Sequence, residues 1–111
     1  MSLLSDIKTI MTTLKIPCEV GEYKTTPAPN LYVVLVPMTT ETQYSDNYPE
    51  QEVQSVRIMV YAKGSYTTTV KSICTALANA EICIEERRYI AHDSSTDLFS
   101  YAIDVENNYD F

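Results

Sequence analysis

Val53-Gln54-Ser55-Val56-Arg57-Ile58-Met59-Val60-Tyr61-Ala62 is the stretch whose reading decides the fold. Val56, Ile58, Val60 and Ala62 share one parity, and Val53, Ser55, Arg57, Met59 and Tyr61 share the other. Successive strand residues point to opposite faces, so the stretch reads as a strand with one wholly apolar face and one mixed face. β-branched and aromatic residues are enriched in it, and neither Pro nor Gly interrupts it. Lys63-Gly64-Ser65 follows: Gly64 permits a turn, and the Ser65 hydroxyl is placed to cap a helix. A central strand running through a turn into a helix is the expectation.

Working outward toward the C-terminus, residues 66–79 carry Tyr66, Val70, Ile73 and Leu77, with Cys74 and Ala78, as the apolar stripe of a helix that Asn79 can end. Residues 81–91 read as a strand with Ile82, Ile84 and Ile90 on one parity. Glu86 and Arg88 share that parity, so its middle must reach water or find partners. His92 to Asp97 is a turn. Residues 98–105 are a closing strand, with Phe99, Tyr101, Ile103 and Val105 inward and Ser100 and Asp104 outward; residues 106–111 are a polar tail.

Toward the N-terminus, residues 31–38 form a strand apolar on both faces, with Pro37 marking an edge or a bulge. Residues 25–30 are a loop holding Pro27 and Pro29, and 18–23 a short strand. Residues 2–15 are an amphipathic helix with Leu3, Ile7, Ile10 and Leu14 as its stripe and Leu4 and Met11 beside it. Ser2 or Ser5 can cap its start, Asp6 suits the positive end of its dipole, and Pro17 stops it. The order α-β-β-β-α-β-β predicts an α+β fold. Its sheet is mainly antiparallel, of four to five strands, with both helices packed on one face. One domain spans 1–111, with no internal repeat.

Between the two strong strands lies a polar segment, about 40–52, longer than a tight hairpin loop. It holds Glu41, Tyr44, Asp46, Tyr48, Glu50 and Glu52 and no basic residue. Two readings stand side by side. The segment is a solvated surface loop, or it is an arm that continues the strands and binds a partner through its tyrosines and carboxylates.

Composition narrows the function classes. The chain has 111 residues, 15 acids against 8 bases, and a formal charge of −7. The only adjacent basic pair, Arg87-Arg88, follows Glu85-Glu86, so neither a phosphate-gripping surface nor an anionic-membrane patch is expected. No apolar run approaches the ~18–20 residues that span a bilayer, and the N-terminus has no signal-peptide pattern. Cys18, Cys74 and Cys83 are odd in number with no metal-ligand spacing; a reduced, intracellular compartment is the simplest reading, and one bridge stays open.

The search for chemistry finds no active site. Gly21 and Gly64 are the only glycines, which rules out a Gly-rich phosphate loop. His92 is the only histidine and has no serine in a nucleophile-elbow pattern. Asp93 and Asp97 are explained by turn chemistry, and Glu85 and Glu86 point to opposite faces of a strand. No catalytic residue, metal or cofactor is expected.

The local wording goes further than composition. Val56-Arg57-Ile58-Met59-Val60-Tyr61-Ala62-Lys63, a short turn, Tyr66, then Val70, Ile73 and Leu77 resembles the middle of the small tail-completion proteins of tailed bacteriophages, the tail-terminator and head-tail-joining family. Leu31-Tyr32-Val33-Val34-Leu35 is similar to that family's preceding strand, and Tyr101-Ala102-Ile103-Asp104-Val105 to its closing hairpin. The resemblance implies a structural subunit of a phage or prophage virion. It would form a ring, often hexameric, that completes the tail and joins it to the head. The implied partners are further copies of itself, tail-tube proteins and head-completion proteins, with DNA only passing through the lumen. The implied site is the virion, after synthesis in the bacterial cytoplasm. The alternative from a different class is a small intracellular ligand-binding or regulatory module on a ferredoxin-like sheet.

Overall fold

The chain forms α1 (Leu3–Thr13), β1 (Cys18–Val20), β2 (Leu31–Ser45), β3 (Tyr48–Lys63), α2 (Thr67–Asn79), β4 (Cys83–Asp93) and β5 (Leu98–Asp110). The structure is a computed structural model that describes residues 2–21, 30–45, 48–64 and 66–110; the side chains of 39, 41, 43–45, 48–50 and 110 lie outside that description. The strands make one sheet in the order β1-β2-β3-β5-β4, so the stretch 53–62 sits in its central strand. β2, β3, β5 and β4 pair antiparallel. β1 pairs parallel with β2, Cys18 opposite Val33, which makes the sheet mixed. Gly21 follows β1 at φ 85°, and its N–H donates to the Leu35 carbonyl at 2.9 Å.

The alternation read in the central strand puts Val56, Ile58 and Val60 on the helix-covered face beside Val33 and Leu35 of β2 and Ile103 and Val105 of β5. α1 lays Leu3, Ile7 and Met11 over them, and α2 lays Val70, Ile73 and Leu77. Each such side chain, fully buried, contributes at most ~1.5–3 kcal/mol before chain entropy is counted. In α1 the buried line runs through Met11. Ile10 and Leu14, expected at its centre, only flank the core.

Ser2 is the residue that caps α1, its Oγ accepting from the Ser5 N–H at 3.2 Å. Tyr66 stands at the N-cap of α2 with no capping bond from its side chain, and Ser65, expected there, lies outside the described residues. Both helices end in the same device. Lys15 N–H donates to Thr12 O and Ile16 N–H to Met11 O; Glu81 N–H donates to Ala78 O and Ile82 N–H to Leu77 O. Lys15 and Glu81 each sit at φ 60°. This double bond pattern around a left-handed residue satisfies the last carbonyls, and it tucks Ile16 and Ile82 back into the core. The helix stop expected from Pro17 and Asn79 is thus made by Lys15 and Glu81.

The face without helices is closed by Arg57 and Asp104, opposite each other on β3 and β5. Arg57 Nε donates to Asp104 Oδ1 at 2.8 Å and Nη2 to Oδ2 at 3.2 Å. The pair explains how Asp104, outward as expected, is still only 8% exposed. Hydrogen bonding and charge from Asp104 push the Arg57 guanidinium above its ordinary pKa.

β4 departs from the expected alternation. Register shifts at Ile84/Glu86 and Tyr89/Ala91 leave Glu85 and Ile90 without opposite partners on β5. Ile82 is buried, whereas Ile90 is 43% exposed. Bulges and charges on an edge strand discourage edge-to-edge pairing, and β4 has both.

Candidate functional site

Of the polar segment about 40–52, read as a solvated loop or as an arm that continues the strands, residues 40–45 and 48–52 form a paired extension of the sheet. β2 and β3 stay in register from Thr39↔Ser55 to Gln43↔Gln51, and after a shift through Tyr44↔Pro49 and Ser45↔Tyr48. The C-terminal stretch 106–111, expected as a tail, joins it as far as Asp110. Gln51 pairs with Asp110, Glu52 with Tyr109, Val53 with Asn108 and Gln54 with Asn107. The physical reason is that each added strand satisfies the backbone groups of its neighbour, so polar sequence that borders a strong strand can extend it. The result is an arm built from β2, β3 and β5.

The arm leaves the helix layer behind. α1 begins at Leu3, whose N–H donates to Gln54 Oε1 at 2.9 Å, while the ladder continues beyond that level to Ser45↔Tyr48. The longest dimension of the molecule is 54 Å, against 26 and 23 Å for the other two. Glu41 stands opposite Val53, Tyr44 opposite Pro49 and Tyr48 opposite Ser45, so the two tyrosines occupy successive rungs of the hairpin tip. Glu50 falls at the register shift, and Asp46 lies outside the described residues. Glu52 is half-buried, and its Oε2 accepts from Gln54 Nε2 at 3.0 Å. The candidate residues therefore lie along one arm, with Glu52 at its base and Tyr44 and Tyr48 near its tip.

The base of the arm is held by residues that the sequence reading passed over. Tyr109 Oη donates to Asp6 Oδ2 at 2.6 Å, joining the end of β5 to the first turn of α1. Burial and the bond to Asp6 raise the Tyr109 phenol to a pKa of about 12. A signal for Tyr109 was present, since it continues the parity of Phe99, Tyr101, Ile103 and Val105. Glu85 and Glu106 meet close to this region; the hydrogen bond to Glu106, then burial, raises the Glu85 carboxyl above its ordinary range.

The other candidates resolve into turn and packing roles. His92 Nε2 lies 2.7 Å from Asp97 Oδ1, and its ring stacks on Phe99 at 4.3 Å. Asp93 Oδ1 accepts from the Ser95 N–H at 3.0 Å and its Oγ at 2.7 Å, which holds the Asp93 carboxyl below its ordinary pKa. Cys18, Cys74 and Cys83 are free thiols. Burial pushes the Cys18 thiol up. Among the described residues no helix is long and apolar enough to cross a membrane, and no three His, Cys, Asp or Glu side chains gather as metal ligands do.

No protein-family model matches this chain. No curated protein matches it either. Among solved structures, it is similar to a chain of the "Virion of native gene transfer agent (GTA) particle", with a TM-score of 0.63 and 11% sequence identity over 99% of this chain and 96% of that chain. At that identity the likeness is one of fold.

Proposed function

We propose that this protein is a structural subunit of a phage or prophage virion, forming a ring that completes the tail and joins it to the head. The observation that carries the reading is the arm, which runs past the helix layer in a molecule 54 Å long. Among the described residues its ladder continues past the level at which α1 begins. In a ring each subunit presents one surface to the copy before it and another to the copy after it, and such an arm can bridge them. The near full-length fold likeness to a chain of the gene transfer agent virion supports the same role. So does the sequence resemblance carried by residues 56–77. The partners are further copies of this chain and the tail-tube and head-completion proteins on either side. DNA passes through the lumen, for which a net charge of −7 is suited because the wall does not hold phosphates. The protein acts by assembly rather than by catalysis, is made in the bacterial cytoplasm and ends in the virion.

Light scattering of the purified protein tests this, together with negative-stain electron microscopy. A particle at a fixed multiple of the chain mass, seen as a ring, is expected; a monomer across the whole concentration range refutes the reading. Replacing residues 42–50 by a short Gly-Ser turn should leave folding within about 1 kcal/mol of wild type, because a hairpin tip adds little stability and loop closure changes slowly with length. The same variant should not form rings or complete tails. Normal assembly by it would reduce the arm to a passive extension.

A further inference from the structure

At the end of the molecule away from the arm tip, Tyr66, Thr67, Val70, Lys71, Arg87 and Tyr101 line a groove of about 370 Å³ between α2 and β4. Its aromatic wall is braced: the Tyr66 ring lies 6.0 Å from Tyr89, 5.6 Å from Phe99 and 5.6 Å from Tyr101. Its charge is positive. Arg87 Nη1 has the Cys74 thiol, at 3.7 Å, as its side-chain partner, a weak acceptor for a guanidinium. Among the described residues no carboxylate forms an ion pair with Arg87 or Lys71. α2 itself contains no acidic residue. The arm has the complementary composition, with Glu41, Asp46, Glu50 and Glu52 and no base.

The two cannot meet within one chain. Tyr101, in the groove, pairs with Val60, and Arg87 lies at the level of Ile103 and Ile58. From the hairpin tip at Tyr48 to Val60, β3 advances roughly 40 Å at ~3.3 Å per residue. A copy therefore carries an acidic arm at one end and a basic, aromatic groove toward the other. We infer that the groove between α2 and β4 receives the acidic arm of a neighbouring copy of this chain, an inference that rests on the assembly role proposed above. Such a contact is head-to-tail, each copy giving its arm to the next and receiving one from the last, and repeated contacts of that type close into a ring when the rotation allows. Carboxylates of the arm meet Lys71 and Arg87, and the tyrosine wall offers flat apolar area to the rest of it.

The test is a charge swap read by light scattering. Lys71→Glu with Arg87→Glu makes the groove acidic, and Glu41→Lys, Asp46→Lys, Glu50→Lys and Glu52→Lys together make the arm basic. The groove substitutions are at exposed positions, and melting curves check that both variants fold. Each variant alone should need at least tenfold higher concentration than wild type to assemble. Mixed in equal amounts they should assemble near the wild-type concentration, since each copy's arm then finds a groove of opposite charge. Raising salt should weaken wild-type assembly through screening. Wild-type behaviour of the groove variant, or failure of the mixture while wild type assembles, overturns this inference and leaves the ring role standing. A wild-type chain that stays monomeric removes both.

Discussion

Replacing Tyr109 by Phe removes one hydroxyl and tests whether the end of the chain is part of the folded body. Tyr109 Oη donates to Asp6 Oδ2 at 2.6 Å, tying β5 to α1 across nearly the whole sequence. A hydrogen bond to a charged acceptor contributes ~1.5–3 kcal/mol. Asp6 is partly exposed and regains water when the hydroxyl goes, so about 1–1.5 kcal/mol is the expected loss. For a domain near this size that lowers Tm by roughly 5 °C or somewhat more. Alkaline titration supplies an independent check. Burial first and Asp6 second favour the protonated phenol, raising it from 10.0 to about 12. The unfolded chain gives up this proton near its ordinary value while the native chain keeps it, so the native state binds more protons across that window. The contribution is complete below pH ~10 and fades as pH rises toward ~12. The full shift corresponds to ~2.7 kcal/mol, which partial exposure reduces to about 1–2, in agreement with the hydrogen-bond figure. Urea melts of wild type and Tyr109→Phe at pH 8 and at steps from pH 9.5 to 12 measure the difference, and comparison of the pair cancels the other tyrosines. The gap in stability should be about 1–1.5 kcal/mol at pH 8 and shrink above pH 10. Equal melts at pH 8, or a gap that does not change with pH, would show that residues 106–110 do not dock on α1.

Three further outcomes follow from the packing. Val60→Asp places an unpaired carboxylate in a fully buried site of the central strand and should cost about 4 kcal/mol or more; a cooperative melt near the wild-type temperature would show the strand to be misassigned. Lys15→Gly relieves a left-handed residue at φ 60°, and the ~1–2 kcal/mol of strain removed exceeds the added unfolded-state entropy of ~0.4–1 kcal/mol, so thermal stability should rise slightly; a fall would contradict the helix-end geometry. Glu85→Gln should stabilise the protein at neutral pH and lose that advantage as pH falls through the carboxylate range, because a carboxyl with a raised folded pKa stabilises the fold only when protonated; a pH-independent effect would separate Glu85 from Glu106.

Residues 53–62 determine much of the fold by themselves. Their alternation, unbroken by Pro or Gly, specifies a strand with one core face, and Val56, Ile58 and Val60 are buried where it places them. The stripes of both helices and the element order were legible for the same reason, since apolar periodicity is local and repeated. What the sequence left open was decided by partners distant along the chain. Residues 39–45, 48–52 and 106–110 resemble loop and tail because their side chains are polar, yet they form strands because the neighbouring strands offer them a backbone ladder. β1 lies parallel to β2, Cys18 opposite Val33, a pairing that no local periodicity reports. β4 loses its expected parity at two bulges, which sit where β4 and β5 must stay paired along a sheet edge. Lys15 and Glu81 end their helices because Ile16 and Ile82 reach the core from there. Periodicity reports which face of a segment avoids water. Pairing, register and contacts between Tyr109 and Asp6, or Arg57 and Asp104, depend on which segments meet, and only the folded chain brings those together.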